Sequence, residues 1–294
     1  MALFTGSGVA IITPFNSDFS INYSKLEELI DFHIENGTDA IIIGGTTGET
    51  ATMDIEEHIE LVERCCRYTA GRIPVIAGTG SNNTVEAVKL SRGADAAGAD
   101  GLLVVTPYYN KGNREGIIRH FKEVAASVKI PVILYNVPSR TGLNLSVDVV
   151  VELSRVENIV GIKEASGDIS YVAEIIRRCP RDFAFYSGND DMIVPVLSLG
   201  GKGVISVVAN IKPQETHDIV ANYLEGRVEE ARELQLGLNG FINALFIEAN
   251  PIPIKKAMNL AGYEVGPLRL PLYEMSEEAT GILIKEMKNI GFEV

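Results

Sequence analysis

Short runs of aliphatic and β-branched residues alternate along this chain with longer stretches whose apolar positions recur at helical spacing. The strand candidates lie at 9–13, 40–43, 74–77, 101–105, 131–135, 159–163, 183–186 and 203–207. Most are apolar throughout rather than alternating, the pattern of strands covered on both faces. Between them, 25–34 carries an apolar stripe at Leu26, Leu29, Ile30, Phe32 and Ile34. Asn83-Thr84 opens another helix with Glu86 in its first turn, Ser146 caps a third, and Asp168 is an N-cap after the sixth strand. This strand–loop–helix unit recurs roughly every 20 to 35 residues. Eight such units predict an α/β fold, a (β/α)8 TIM barrel. A doubly wound open sheet is the alternative, but no Gly-x-Gly-x-x-Gly follows the first strand.

Past about residue 225 the strands stop. Helical patterns at 227–249, 254–261 and 276–290 follow, with the Pro-rich stretch Gly266-Pro-Leu-Arg-Leu-Pro271 as a connector. The expected organisation is a barrel domain at 1–225 and a small all-helical C-terminal appendage at 226–294.

Composition narrows the classes of function. With 294 residues, 46% hydrophobic and 22% charged, the chain has enough apolar sequence for a large core. Its net charge of -13 repels phosphates, which argues against nucleic acid and anionic membrane surfaces as partners. The most apolar long stretch, 192–211, is broken by Gly200, Gly201, Lys202 and Gly203, so no membrane span is expected. No basic region followed by an apolar run opens the chain, so no secretory signal is expected either. Cys65, Cys66 and Cys179 are odd in number and lack metal-ligand spacing, which fits reduced thiols in the cytoplasm. His33, His58, His120 and His217 are scattered without a ligand pattern, and Gly200-Gly-Lys-Gly203 lacks the spacing of a phosphate loop. No metal or other cofactor is expected.

In a barrel of this kind the reacting groups sit where strands end. The sixth strand, within Asn158-Ile-Val-Gly-Ile-Lys-Glu-Ala-Ser-Gly167, ends on Lys163. A lysine held among apolar neighbours is disfavoured as the ammonium and becomes a nucleophilic amine, the state a Schiff-base lysine needs. Taken alone, Lys163 reads more readily as a strand-end lysine paired with Glu164 or a nearby carboxylate. The other strand ends weigh for the amine. They carry Gly44-Gly-Thr-Thr-Gly-Glu49, Thr106-Pro-Tyr-Tyr-Asn-Lys111, Tyr135-Asn-Val-Pro-Ser-Arg-Thr-Gly142 and Ser187-Gly-Asn-Asp190, with Ile205 and Ser206 in the eighth strand. The glycine-rich loop offers amides and hydroxyls to a small carboxylate, or is a tight loop whose threonines cap a helix. Tyr135 should neighbour Lys163 at the mouth, as a proton carrier or as a core tyrosine. Arg140 suits bidentate binding of a carboxylate, or a solvated surface.

Gly45-Thr-Thr-Gly-Glu49, Pro107-Tyr-Tyr-Asn110, Tyr135-Asn-Val-Pro138 with Arg140 and Gly142, and Gly161-Ile-Lys-Glu164 together resemble the dihydrodipicolinate synthase family, within the pyruvate-dependent class I aldolases that include N-acetylneuraminate lyase. Ser187-Gly-Asn-Asp190, Gly203-Val-Ile-Ser206 and Asn250-Pro-Ile-Pro253 support the resemblance, which runs from near residue 5 to the helical tail. It implies condensation of pyruvate with L-aspartate 4-semialdehyde on the route through diaminopimelate to L-lysine. By resemblance, Lys163 would form the Schiff base and Thr46, Tyr109 and Tyr135 would relay protons. Thr47, Gly188, Asn250 and the carbonyl of Ile205 would line the substrate pocket, and Arg140 would hold the second substrate's carboxylate. The tyrosine matching Tyr109 completes a neighbouring subunit's site in this family, which implies a homo-oligomer, a dimer or a tetramer built as a dimer of dimers.

A lysine-effector cleft is implied at Thr50, Ala51, His58, Asn82, Glu86 and Tyr108, although Ile55 stands where some regulated relatives carry histidine. A sugar-acid lyase of the same superfamily is the competing enzyme. The double threonine, the Tyr108-Tyr109 pair and Arg140 favour the semialdehyde. A silent barrel that senses 2-oxo acids is the non-catalytic alternative.

Overall fold

Eight parallel strands close into a barrel in the computed structural model, which describes residues 2–294. They are β1 (Gly6–Ala10), β2 (Ala40–Ile43), β3 (Val75–Gly78), β4 (Gly101–Val105), β5 (Val132–Asn136), β6 (Ile159–Glu164), β7 (Ala184–Ser187) and β8 (Gly203–Ser206). Each pairs with the next, and β8 returns to β1 through Gly203 and Gly6. Around them run α1 (Tyr23–Glu35), α2 (Ile55–Thr69), α3 (Thr84–Ala96), α4 (Arg114–Ala126), the short α5 (Pro138–Thr141), α6 (Val147–Leu153), α7 (Ile169–Arg178), α8 (Ile193–Ser198) and α9 (Pro213–Leu224). The expected caps form: Asn83 accepts from the Val85 amide, Ser146 from Val149, and Asp168 from Ser170 and Tyr171.

The uniformly apolar strands resolve into two sets with a period of two. Val9, Ile41, Val75, Leu102, Val132, Ile162 and Phe185 point outward into the layer shared with the helices. Ala10, Ile42, Ile76, Leu103, Ile133, Tyr135, Tyr186 and Ile205 point inward and fill the barrel. Phe4 closes the bottom, stacked on Tyr186 with ring centroids 4.5 Å apart and accepting its hydroxyl at 2.7 Å. Both layers exclude water, so whatever stands above them at the strand ends stands on a dry, close-packed floor.

The first strand lies three residues earlier than its hydrophobic pattern predicts, at Gly6–Ala10 rather than 9–13. Residues Ile11 to Thr13 are buried, but the ladder ends with the Ile11 amide on the Ile42 carbonyl, and the Ile12 amide donates to the side chain of Asn210 at 3.0 Å. The true start is hidden because close packing there demands small residues. A Cβ on Gly8 would come within 2.6 Å of the Ile42 side chain and 2.8 Å of the Phe4 ring. β3 and β5 begin one residue after Pro74 and Pro131, which lack an N–H but supply carbonyls to Ile41 and Leu102.

The tail forms α10 (Val228–Ala244), α11 (Ile252–Leu260) and α12 (Glu277–Asn289). Leu238, Phe241, Ile242, Met258, Leu283 and Met287 join the apolar layer that covers the strands. α10 stops short of the expected 249, and the freed residues 246–250 bend over the mouth of the barrel. Among the described residues no helix is long and apolar enough to cross a membrane, and the three cysteines are free thiols.

Candidate active site

The register of β5, β6 and β7 places Tyr135, Lys163 and Tyr186 side by side on the inner face. Two positions further down, Gly161 pairs with Ala184 and has no room for a Cβ, which would lie 2.6 Å from the Ala184 carbonyl oxygen. That close approach keeps β6 and β7 tight beneath the lysine. Lys163 is 5% exposed, and its Nζ lies 4.4 Å from the centre of the Tyr135 ring. It makes no ion pair among the described residues. Glu164, the alternative partner, instead accepts from the Ser166 amide at 2.7 Å and the Asn136 side chain at 3.1 Å. Burial lowers the Lys163 pKa to about 8; Asp190 acts to raise it and Arg140 to lower it further. Burial also pushes the Tyr135 phenol up to about 12, with Arg140 and the Thr46 hydroxyl acting in the opposite direction. At neutral pH the site therefore holds a protonated phenol next to an amine that gives up its proton easily.

Both groups line a cavity of about 1310 Å³ at the C-terminal mouth of the barrel. Thr46, Thr47, Arg140, Gly188 and Asn250 line it too. The adjacent threonines face different surroundings: Thr46 is exposed to the cavity, whereas Thr47 is buried and accepts a hydrogen bond from the Asn250 side chain at 3.0 Å. Because Thr47 already accepts from Asn250, its own hydrogen is left for an anionic guest. The carbonyl of Asn250 in turn accepts from Arg140 at 2.8 Å. Thr47, Asn250 and Arg140 thus span the mouth as one chain.

Three expected site residues do not line this cavity. Ile205 is fully buried in the barrel interior, and Val207 lines the cavity beyond it. Asn82 lies behind the wall, its carbonyl accepting from Asn110 at 2.9 Å. Tyr109 projects from the chain with 88% exposure and a left-handed φ of 71°. The other expected effector-cleft residues, Thr50, Ala51, His58, Glu86 and Tyr108, line the same cavity.

The glycine-rich loop is held by a pair that sequence reasoning missed. Glu49, in a left-handed conformation, accepts from Lys255 Nζ at 2.8 Å and from the Arg269 amide at 2.9 Å. The two side chains are 0% and 1% exposed. Lys255 also donates to the carbonyls of Thr13 and Pro267. The only available signal was a lysine on the buried face of a helix, beside Ile254 and Met258. Lys255→Met leaves the Glu49 carboxylate buried and uncompensated, so unfolding free energy should fall by about 3–5 kcal/mol. A urea midpoint equal to the wild type's would show the pair to be dispensable.

An unpaired buried lysine, a phenol at its side and a hydroxyl-lined cavity, at the mouth of a parallel barrel, together define a class I, Schiff-base aldolase type of lyase. The family profile described as the dihydrodipicolinate synthetase family matches residues 3–290, and the chain belongs to that family. It is 58% identical over 292 residues, covering 99% of this chain and 98% of the relative, to 4-hydroxy-tetrahydrodipicolinate synthase of Thermoanaerobacter sp. (strain X514). Among solved structures, the dihydrodipicolinate synthase of Cyanidioschyzon merolae with lysine bound superposes with a TM-score of 0.96 at 40% identity, covering 99% of both chains. The chloride-inhibited enzyme of Acinetobacter baumannii complexed with pyruvate superposes with a TM-score of 0.95 at 42% identity, covering 98% of this chain and 99% of that one.

Proposed function

We propose that this chain is a 4-hydroxy-tetrahydrodipicolinate synthase, joining pyruvate to L-aspartate 4-semialdehyde in the diaminopimelate route to L-lysine. The observation that carries the reading is the Lys163 amine, buried and unpaired, 4.4 Å from the centre of the Tyr135 ring. The Lys163 amine adds to the pyruvate ketone, and loss of water gives a cationic iminium. That cation accepts the electrons released when the methyl group loses a proton. The resulting enamine attacks the aldehyde carbon, and the new alkoxide takes a proton. Tyr135 and Thr46 carry these protons, because a phenol that stays protonated can donate and its conjugate can accept. Thr47 holds the pyruvate carboxylate, with Gly188 as a neighbour, and Arg140 holds the carboxylate of the semialdehyde. The amino group of the second substrate then displaces Lys163 and closes the ring. These steps use only side chains of the protein and the two substrates.

Tyr109 joins the relay of a neighbouring copy, so the working form is a dimer or a dimer of dimers. Its support is an exposed tyrosine in a backbone conformation that is costly without a role. The part of the cavity lined by Thr50, Ala51, His58, Glu86 and Tyr108, backed by Asn82, takes L-lysine as an effector. The enzyme works in the cytoplasm, in keeping with its free thiols. Residues 226–294 act as a helical domain that brings Asn250 and Lys255 to the barrel.

A coupled assay with two aldehyde classes tests the assignment. Turnover of pyruvate with L-aspartate 4-semialdehyde and none with N-acetylmannosamine is expected. The reverse preference would make the chain a sugar-acid lyase.

A further inference from the structure

We propose that Asp190 is the counter-charge of the Schiff base: its unpartnered carboxylate oxygen, buried in the wall of the cavity that Lys163 enters, stabilises the positive charge that appears on the lysine nitrogen. The inference rests on the reading of Lys163 given above and adds a residue to it.

Asp190 follows β7, the strand next to that of Lys163, and opens a single 3₁₀ turn, Asp190–Met192. It is 2% exposed. Its Oδ2 accepts from the amides of Val207 at 3.0 Å and Val208 at 2.9 Å, just past β8. Its backbone carbonyl accepts from the Gln235 side chain of α10 at 2.8 Å. These bonds prevent the carboxylate from turning out to solvent. Its Oδ1 is fully buried and has no partner. Such an atom is costly to keep unless something in the working enzyme pairs with it.

The chemistry supplies that partner. The Lys163 amine, the ketone and one proton give an iminium and one water: a C–N bond forms, the C–O bond breaks, and the nitrogen acquires a full positive charge. The floor of the site is dry, so no bulk water solvates that charge. Ten ionisable residues besides Lys163 line the cavity, Tyr135, Arg140, Asp190 and Asp191 among them, and the two whose charge acts on the lysine are Asp190 and Arg140. Gln235 of α10 is neutral, the end of β8 offers Asp190 the Ser206 hydroxyl and backbone amides, and Asp191 is exposed. Arg140 opposes the cation; Glu49 is already paired with Lys255, and Asp190 is the buried carboxyl left. Burial raises the Asp190 pKa, while the Ser206 hydroxyl, the Val208 and Val207 amides and the charge of Lys163 act to lower it. In the resting enzyme the same carboxylate already favours the charged form of Lys163, while burial and Arg140 disfavour it.

The full-length Asp190→Asn variant tests this, since its side-chain oxygen still accepts from Val207 and Val208 while the charge is gone. Pyruvate with borohydride should label Lys163 about tenfold more slowly than in the wild type. The pH midpoint of labelling should move lower, because the amine loses the group that favours its protonated form. Equal labelling with an unchanged pH midpoint would overturn the counter-charge. An unlabelled wild type would instead overturn the Schiff-base reading. Should the Asn variant fail to fold, Asp190→Ser and Asp190→Glu serve in its place. Labelling that is slow in the serine variant and recovers in the glutamate variant supports the charge. Equal loss in both overturns it.

Discussion

Lys163→Ala loses condensation activity by roughly four orders of magnitude or more, because no other side chain can form the covalent intermediate. Truncation cannot be rescued by a neighbour: the amine stands on the inner face of β6, flanked only by the Tyr135 and Tyr186 positions. The variant should still fold. Removing the amine breaks no direct ion pair: Asp190 keeps its bonds from the Val207 and Val208 amides, and Glu164 keeps its own partners in Ser166 and Asn136. The informative result is therefore lost turnover with a melting curve close to that of the wild type. Residual activity near the wild-type level would move the chemistry to another residue.

Tyr135→Phe keeps the ring packed beside Lys163 and removes only the hydroxyl. The condensation rate should fall by about 10²–10⁴-fold, the range of a general acid–base group. The loss should appear in kcat more than in the KM for pyruvate, because Thr47 and its support from Asn250 are untouched. A Phe variant that turns over normally would reduce the phenol to a packing residue.

The barrel was legible because strands covered on both faces write themselves as apolar runs, and the lysine near the end of one of them stands out. The exception is β1, where Gly8 meets the Phe4 ring and the Ile42 side chain, and Gly6 meets Asp39, too closely for an apolar signal to exist. The loops at the strand ends marked the site's neighbourhood, but sequence could not order its depth. Asp190 and Asp191 read alike, yet one is buried and the other exposed. Thr46 and Thr47 also read alike, and only the Asn250 contact separates them. The Glu49–Lys255 pair joins residues 206 positions apart on a loop and a tail helix, so no local pattern announced it. Partnership across the fold is what a linear reading lacks. It is also what fixes the glycine-rich loop where a substrate carboxylate would meet it.

Peptide mass spectrometry after incubation with pyruvate and borohydride tests the central claim most directly. One reduced pyruvate unit is expected on the peptide bearing Lys163, at a rate that rises with pH through about 8 as the buried amine loses its proton. A Lys163 peptide of unchanged mass under turnover conditions, or a label on a different lysine, would contradict the account.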